Sequence, residues 1–99
     1  ACTKDTPRIS GAEAAALARE IPDWAVKAER ELEREFRFPD FSTALQFVNR
    51  VGDVAEGQGH HPDITLTWGR VGIRIWTHAV GGLTRSDFVL AAKIDALPH

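Results

Sequence analysis

The sequence predicts a single α+β domain over residues 10–99, with a flexible N-terminal arm over residues 1–9. Three observations carry that class. Residues 41–55 place apolar side chains at helical spacing. Residues 63–77 form two segments rich in β-branched residues, joined at Gly69. Residues 84–97 open on a capping sequence and continue with helical spacing.

The elements follow in order. Ser10-Gly11-Ala12-Glu13 reads as a capping box: the Ser10 hydroxyl accepts the Glu13 N–H and the Glu13 carboxylate returns to Ser10 N–H. A short helix follows with Leu17, Ala18 and Ile21 on one face, and Pro22 stops it, because a residue before proline avoids helical angles. Residues 24–38 have two readings. Ala25, Ala28, Leu32 and Phe36 are spaced as in a helix, and the stretch is rich in Glu, Lys and Arg. Yet Trp24 and Val26, then Leu32, Arg34, Phe36 and Phe38, are period-2 sets, which suit two strands with a polar turn near Glu29–Glu31. Pattern alone favours the helix.

Pro39-Asp40 marks a break, with Asp40 or Ser42 as the next cap. Ala44, Leu45, Val48, Val51 and Ala55 then form a helical stripe that ends at Gly57-Gln58-Gly59. Ile64, Leu66 and Trp68 share a face of one strand, and Val71, Ile73 and Ile75 a face of the next. Gly81-Gly82 is a loop. Thr84-Arg85-Ser86-Asp87 is a second capping box, and its helix carries Phe88, Leu90, Ala91, Ile94 and Leu97.

Ninety-nine residues leave room for one core. Hydrophobic residues make up 43% and charged residues 26%, which excludes disordered, collagen-like and coiled-coil classes. The net charge of -2 argues against direct nucleic-acid binding. Cys2 is the single cysteine, so no internal disulfide forms, and a cytoplasmic, reducing setting is expected. No apolar run is long enough to span a membrane, and the first residues lack the apolar stretch of a secretory signal.

Of four histidines, His60, His61 and His78 fall in one region, while His99 ends the chain with no expected role. Imidazole is the side chain best suited to trade protons near neutral pH. On a regular strand, adjacent histidines would point to opposite faces. Here Gly57 and Gly59 permit unusual backbone angles before the pair, and Pro62 holds His61 extended. The turn can therefore aim both rings into one cleft. If the strands pair through the Gly69 turn, His61 and His78 lie at the same open end.

The spacing Glu56-x3-His60-His61-Pro62-x5-Trp68-x9-His78-x8-Asp87 resembles the signature of the pterin-4a-carbinolamine dehydratase family. Arg34-x-Phe36-x-Phe38-Pro39-Asp40-Phe41 and the Gly-Gly-Leu-Thr run after His78 support the resemblance, which covers about residues 24–97. It implies a four-stranded antiparallel sheet with helices packed on one face, in α-β-β-α-β-β-α order. Residues 24–38 then become a hairpin, not a helix. It implies dehydration of 4a-hydroxytetrahydropterin to quinonoid dihydropterin and water, with neither metal nor cofactor. His60, His61 and His78 map onto the family's active-site histidines. His61 would combine pterin binding with proton transfer, and His60 and His78 would flank the reacting edge. Glu56, Pro62, Trp68 and Asp87 are the accompanying positions. Each has a structural alternative: a solvated helix end for Glu56, a backbone role for Pro62, core or interface for Trp68, a helix cap for Asp87. Some family members carry an acidic residue before the histidine pair and an aromatic three residues after it. Gly59 and Ile64 stand there instead, so contacts from those positions do not carry over.

Two other readings compete. Three histidines and a carboxylate can hold zinc, but adjacent ligands make a poor template. The same fold can also serve as a non-catalytic interaction module, either a dimerisation cofactor or a transcriptional regulator. A homodimer or homotetramer is expected. Trp76 lies on the strand face that should be polar, and it points to a subunit contact.

Overall fold

The structure is a computed structural model that describes residues 9–99. Most of the expected arm, with Cys2, lies outside the described residues. Its last residue, Ile9, donates its N–H to the Leu83 carbonyl at 3.2 Å and packs on the core.

Seven elements follow in the order α1 (Gly11–Ala18), β1 (Ala25–Lys27), β2 (Glu31–Arg37), α2 (Phe41–Gln58), β3 (Asp63–Thr67), β4 (Arg70–Ile75) and α3 (Arg85–Asp95). A 3₁₀ turn at His78–Val80 links β4 to α3. The strands form one antiparallel sheet in the order β1-β2-β4-β3. Residues 24–38 are thus a hairpin, as the resemblance implies and against the helical pattern.

Register sorts the side chains. Leu32, Arg34 and Phe36 pair with Ile75, Ile73 and Val71, and Ile64 and Leu66 with Ile73 and Val71, so these residues share the helix-covered face. Ala44, Phe47, Val51 and Ala55 of α2 and Phe88, Leu90, Ala91 and Ile94 of α3 are buried over it. The opposite face carries Glu31, Glu33, Glu35, Arg70 and Arg74. Arg74 binds Glu31 at 2.9 Å, and Arg70 reaches Glu35 at 3.6 Å. An antiparallel sheet with one solvated face is expected to alternate this way.

Several expectations are corrected. Helix α1 ends at Ala18, four positions before Pro22, because Glu20 and Ile21 close back onto Leu17 and Ala18 in tight three-residue turns. Ile21 is buried, but outside the helix. Ser10 accepts the Glu13 N–H at 3.1 Å as expected, yet the Glu13 carboxylate turns to Arg85 at 2.7 Å rather than back to Ser10. On α2 the buried stripe includes Phe47 and leaves Leu45 exposed, because the stripe advances by three from Ala44 and by four from Phe47 to Val51. Asp40 is the cap. β3 ends at Thr67 and β4 at Ile75, so Trp68 belongs to the two-residue loop and Trp76 lies past the strand.

Gly69 is required by close approach. Its carbonyl accepts the Phe38 N–H at 2.8 Å, and an added Cβ would sit 2.8 Å from the Phe38 carbonyl oxygen.

Candidate active site

The C-terminus of α2 sets the first part of the site. Gly59 takes the left-handed conformation at φ 62°, which an L-residue with a side chain enters at a cost. Gly59 N–H bonds to Glu56 O at 3.2 Å and His60 N–H to Ala55 O at 3.1 Å, the paired bonds of a Schellman ending. This reversal directs His60 inward against the first turn of α3.

There His60 Nε2 meets Asp87 Oδ1 at 2.6 Å. Asp87 is wholly buried and His60 is 8% exposed. The other carboxylate oxygen accepts from Thr84 N–H at 2.8 Å and from the Thr77 hydroxyl at 2.9 Å. Asp87 is therefore both the acidic member of the capping box of α3 and the partner of His60. The buried carboxylate has full hydrogen-bond satisfaction, without which its burial would cost several kcal/mol (about 2–7 for a neutral polar group).

His61 faces solvent. Its Nε2 is 3.4 Å from Glu56 Oε1, and that carboxylate is itself exposed. His78 begins the 3₁₀ turn, which Gly81 closes in the left-handed region at φ 62°. The His78 ring stacks on Trp76 at 4.4 Å between centroids and 18° between planes. Arg74 lies 5.3 Å from the same indole centroid. Arg74 donates to the Glu31 carboxylate, and these hydrogen bonds raise its pKa above the ordinary value.

Gly59, His60, His61, Trp76, Thr77, His78 and Ala79 line one cleft of about 280 Å³. The structure thus brings His60, His61 and His78 together, with Asp87 behind His60 and Glu56 beside His61. Pro62 leads the chain from the cleft into β3. Trp68 is not brought there. It sits 68% exposed at the tip of the β3–β4 hairpin, roughly 17 Å of strand from the histidines, and is neither core nor cleft wall. His99 packs edge-on against Phe36 at 5.0 Å, with its Nε2 3.3 Å from Asp95 O. A larger groove, about 670 Å³, runs between α1 and the β1–β2 turn, but no imidazole lines it and its titratable residues are Glu29 and Arg30. Proton-transfer chemistry assigns the site to the smaller cleft. Among the described residues no three His, Cys, Asp or Glu side chains are grouped so as to hold a metal ion.

Sequence reasoning missed Trp76 and Thr77 as cleft residues. Trp76 was expected at a subunit contact; its stacking partner is His78 of its own chain.

Comparisons with known proteins bear on the family and the fold. The sequence profile described as pterin 4 alpha carbinolamine dehydratase matches residues 7–97. The chain belongs to the pterin-4a-carbinolamine dehydratase family. A protein of Rubrobacter xylanophilus, provisionally named pterin-4-alpha-carbinolamine dehydratase, is 53% identical over 96 residues, covering 97% of this chain and 90% of that one. A protein of Gloeobacter violaceus with the same provisional name is 48% identical over 100 residues, covering 98% and 86%. A crystal structure described as a transcriptional coactivator/pterin dehydratase from Brucella melitensis superposes with a TM-score of 0.85 at 32% identity, over 91% of this chain and 97% of that one. A pterin dehydratase-like protein, described as a RuBisCO assembly factor in the alpha-carboxysome, shares the fold at a TM-score of 0.65 and 21% identity, over 75% and 87%. No helix among the described residues is long and apolar enough to cross a membrane.

Proposed function

We propose that this protein dehydrates 4a-hydroxytetrahydropterin to quinonoid dihydropterin and water, as a step of tetrahydrobiopterin or related pterin recycling in the cytoplasm. The observation that carries the reading is the cleft lined by three imidazoles, one of them backed by a buried carboxylate. Family membership supports it.

The reaction breaks the C4a–O bond. The departing hydroxyl takes a proton from an acid and leaves as water. A ring N–H gives its proton to a base, and the electron pair it leaves closes the new C=N bond. One proton goes to the leaving group and one comes from the ring, so the protein's proton count is unchanged, and exchange with water returns acid and base to their starting forms. Neutral imidazole serves as the base and imidazolium as the acid. His60 is held by Asp87, which orients the ring. His61, exposed at the mouth, is free to meet the pterin and to exchange protons with water. His78 and Trp76 form a flat wall beside them. No cofactor is part of this scheme.

The test follows loss of freshly generated 4a-hydroxytetrahydropterin by ultraviolet absorbance, with protein pretreated with chelator. Wild type should accelerate the reaction over buffer. His61→Ala should lower the rate at least tenfold, within the roughly 10²–10⁴-fold that general acid–base catalysis supplies. No acceleration by wild type would defeat the dehydratase reading. A second reading would then lead, an interaction module on the same fold. It is supported by the coactivator description of the Brucella relative.

A further inference from the structure

We propose that Thr77 is a positioning residue that holds His60 in a single tautomer. The proposal rests on the dehydratase reading only for its effect on turnover. The argument is one of proton direction within a buried cluster.

Thr77 is 1% exposed, Thr84 2% and Asp87 0%. The Asp87 carboxylate can only accept. The Thr77 hydroxyl has one proton, and at 2.9 Å it gives that proton to Asp87 Oδ2. The contact of 2.9 Å between the Thr77 and Thr84 hydroxyls then has one solution: Thr84 donates and Thr77 accepts. The capping box completes the circuit, because the Thr84 oxygen accepts the Asp87 N–H. Every proton points the same way round, and the chain of donors ends on Oδ2. That oxygen also receives Thr84 N–H at 2.8 Å.

Two donors on Oδ2 fix the plane of the carboxylate. Oδ1 is left aimed at His60 Nε2, 2.6 Å away, so the hydrogen lies on Nε2 and the Nδ1 lone pair is free. Removing the Thr77 hydroxyl takes away one of the two donors to Oδ2. The carboxylate then turns, and His60 loses the alignment that selects its tautomer. Thr77 also directly precedes His78, and its backbone closes the 82-to-77 bridge around the 3₁₀ turn. One residue thus ties the settings of two of the cleft's imidazoles.

The experiment is long-range ¹H–¹⁵N correlation on histidine-labelled protein without substrate, above about pH 8, where imidazoles are neutral. Wild type, Thr77→Val and Thr77→Ser are compared, together with their steady-state kinetics. Wild-type His60 should be the Nε2–H form. Thr77→Val should show mixed tautomers and a kcat about tenfold lower, with KM within twofold. Thr77→Ser, which keeps the hydroxyl, should restore both. A valine variant with the wild-type tautomer and kcat would overturn the proposal, as would a serine variant that behaves like valine. If Thr77→Val fails to fold, the serine variant decides: a single Nε2–H form supports the proposal, and mixed tautomers overturn it. An inactive wild type would sink the dehydratase reading yet leave the tautomer result standing.

Discussion

His60 is 8% exposed and bound through Nε2 to a carboxylate with no exposure, whereas the next side chain, His61, is 62% exposed beside a carboxylate that is 80% exposed. Two neighbours of the same type therefore sit in opposite dielectric settings, and their partners should differ in energetic weight. Asp87→Ala removes the acceptor that His60 Nε2, the Thr77 hydroxyl and Thr84 N–H share. Removing the acceptor from a buried hydrogen-bonded group costs about 1–3 kcal/mol. Glu56→Gln removes an exposed contact and should change stability by less than about 0.5 kcal/mol. Urea unfolding of the two variants checks the contrast; similar losses would mean that the burial difference has no energetic meaning. The same residues show what spacing can and cannot reveal. The glycine–histidine–histidine–proline run places both rings on one turn, and the downstream His and Asp recur at a family interval. That interval also contains Trp68, which the hairpin carries away from the cleft. Trp76 is in the cleft without being in the interval. A lone aromatic on a charged face reads as an interface residue until the ring two positions on is seen to stack against it.

The β1–β2 hairpin explains why residues 24–38 resisted reading at the scale of the element. Leu32 and Phe36 are four apart and so satisfy a helix, and with Arg34 they satisfy a strand equally. What separates hairpin from helix is the turn, and here it lacks the usual mark. Arg30 N–H bonds to Lys27 O at 2.9 Å, and the two central residues are Ala28 at φ 52° and Glu29 at φ 57°. Turns with two positive-φ positions prefer Asn-Gly. Local chemistry therefore opposed the observed turn, and the tertiary packing of Leu32 and Phe36 overrode it. Replacing Ala28 by Asn and Glu29 by Gly should stabilise the protein by about 1 kcal/mol, raising Tm by about 4–8 °C. An unchanged or lower Tm would show that the backbone here is not strained. The α2 cap was legible, and it carries a pH dependence. Thr43 N–H and its hydroxyl, both 2.8 Å from Asp40 Oδ1, hold the Asp40 carboxyl below its ordinary 3.8. A lowered folded pKa means the cap's contribution is present above pH 3.8 and is lost as pH falls through the lowered value. Asp40→Asn should flatten the stability profile in that acid window alone, as thermal melts between pH 5 and pH 2 would reveal.

Across the whole molecule, the helices cover one face of the sheet and ion pairs occupy the other. Glu31 and Glu33 flank Arg74, and Glu35 lies between Arg37 and Arg70. Trp76, the residue that first suggested an oligomer, is already stacked within its own chain. Other surface also supports the expectation of self-association: Phe41 at 45% exposed, Leu45 at 39%, Trp68 at 68% and Val89 at 46%. A chain this small buries a modest share of its apolar area alone, so covering these side chains is a substantial gain. Sedimentation should therefore return a multiple of 10.9 kDa at micromolar concentration. The salt response distinguishes the two surfaces. Association through paired charges weakens as salt screens them, whereas association through apolar side chains holds or tightens. We expect the second behaviour in sulfate. A mass of one chain would remove the oligomer, and an oligomer that dissociates in salt would return the contact to the charged face of the sheet.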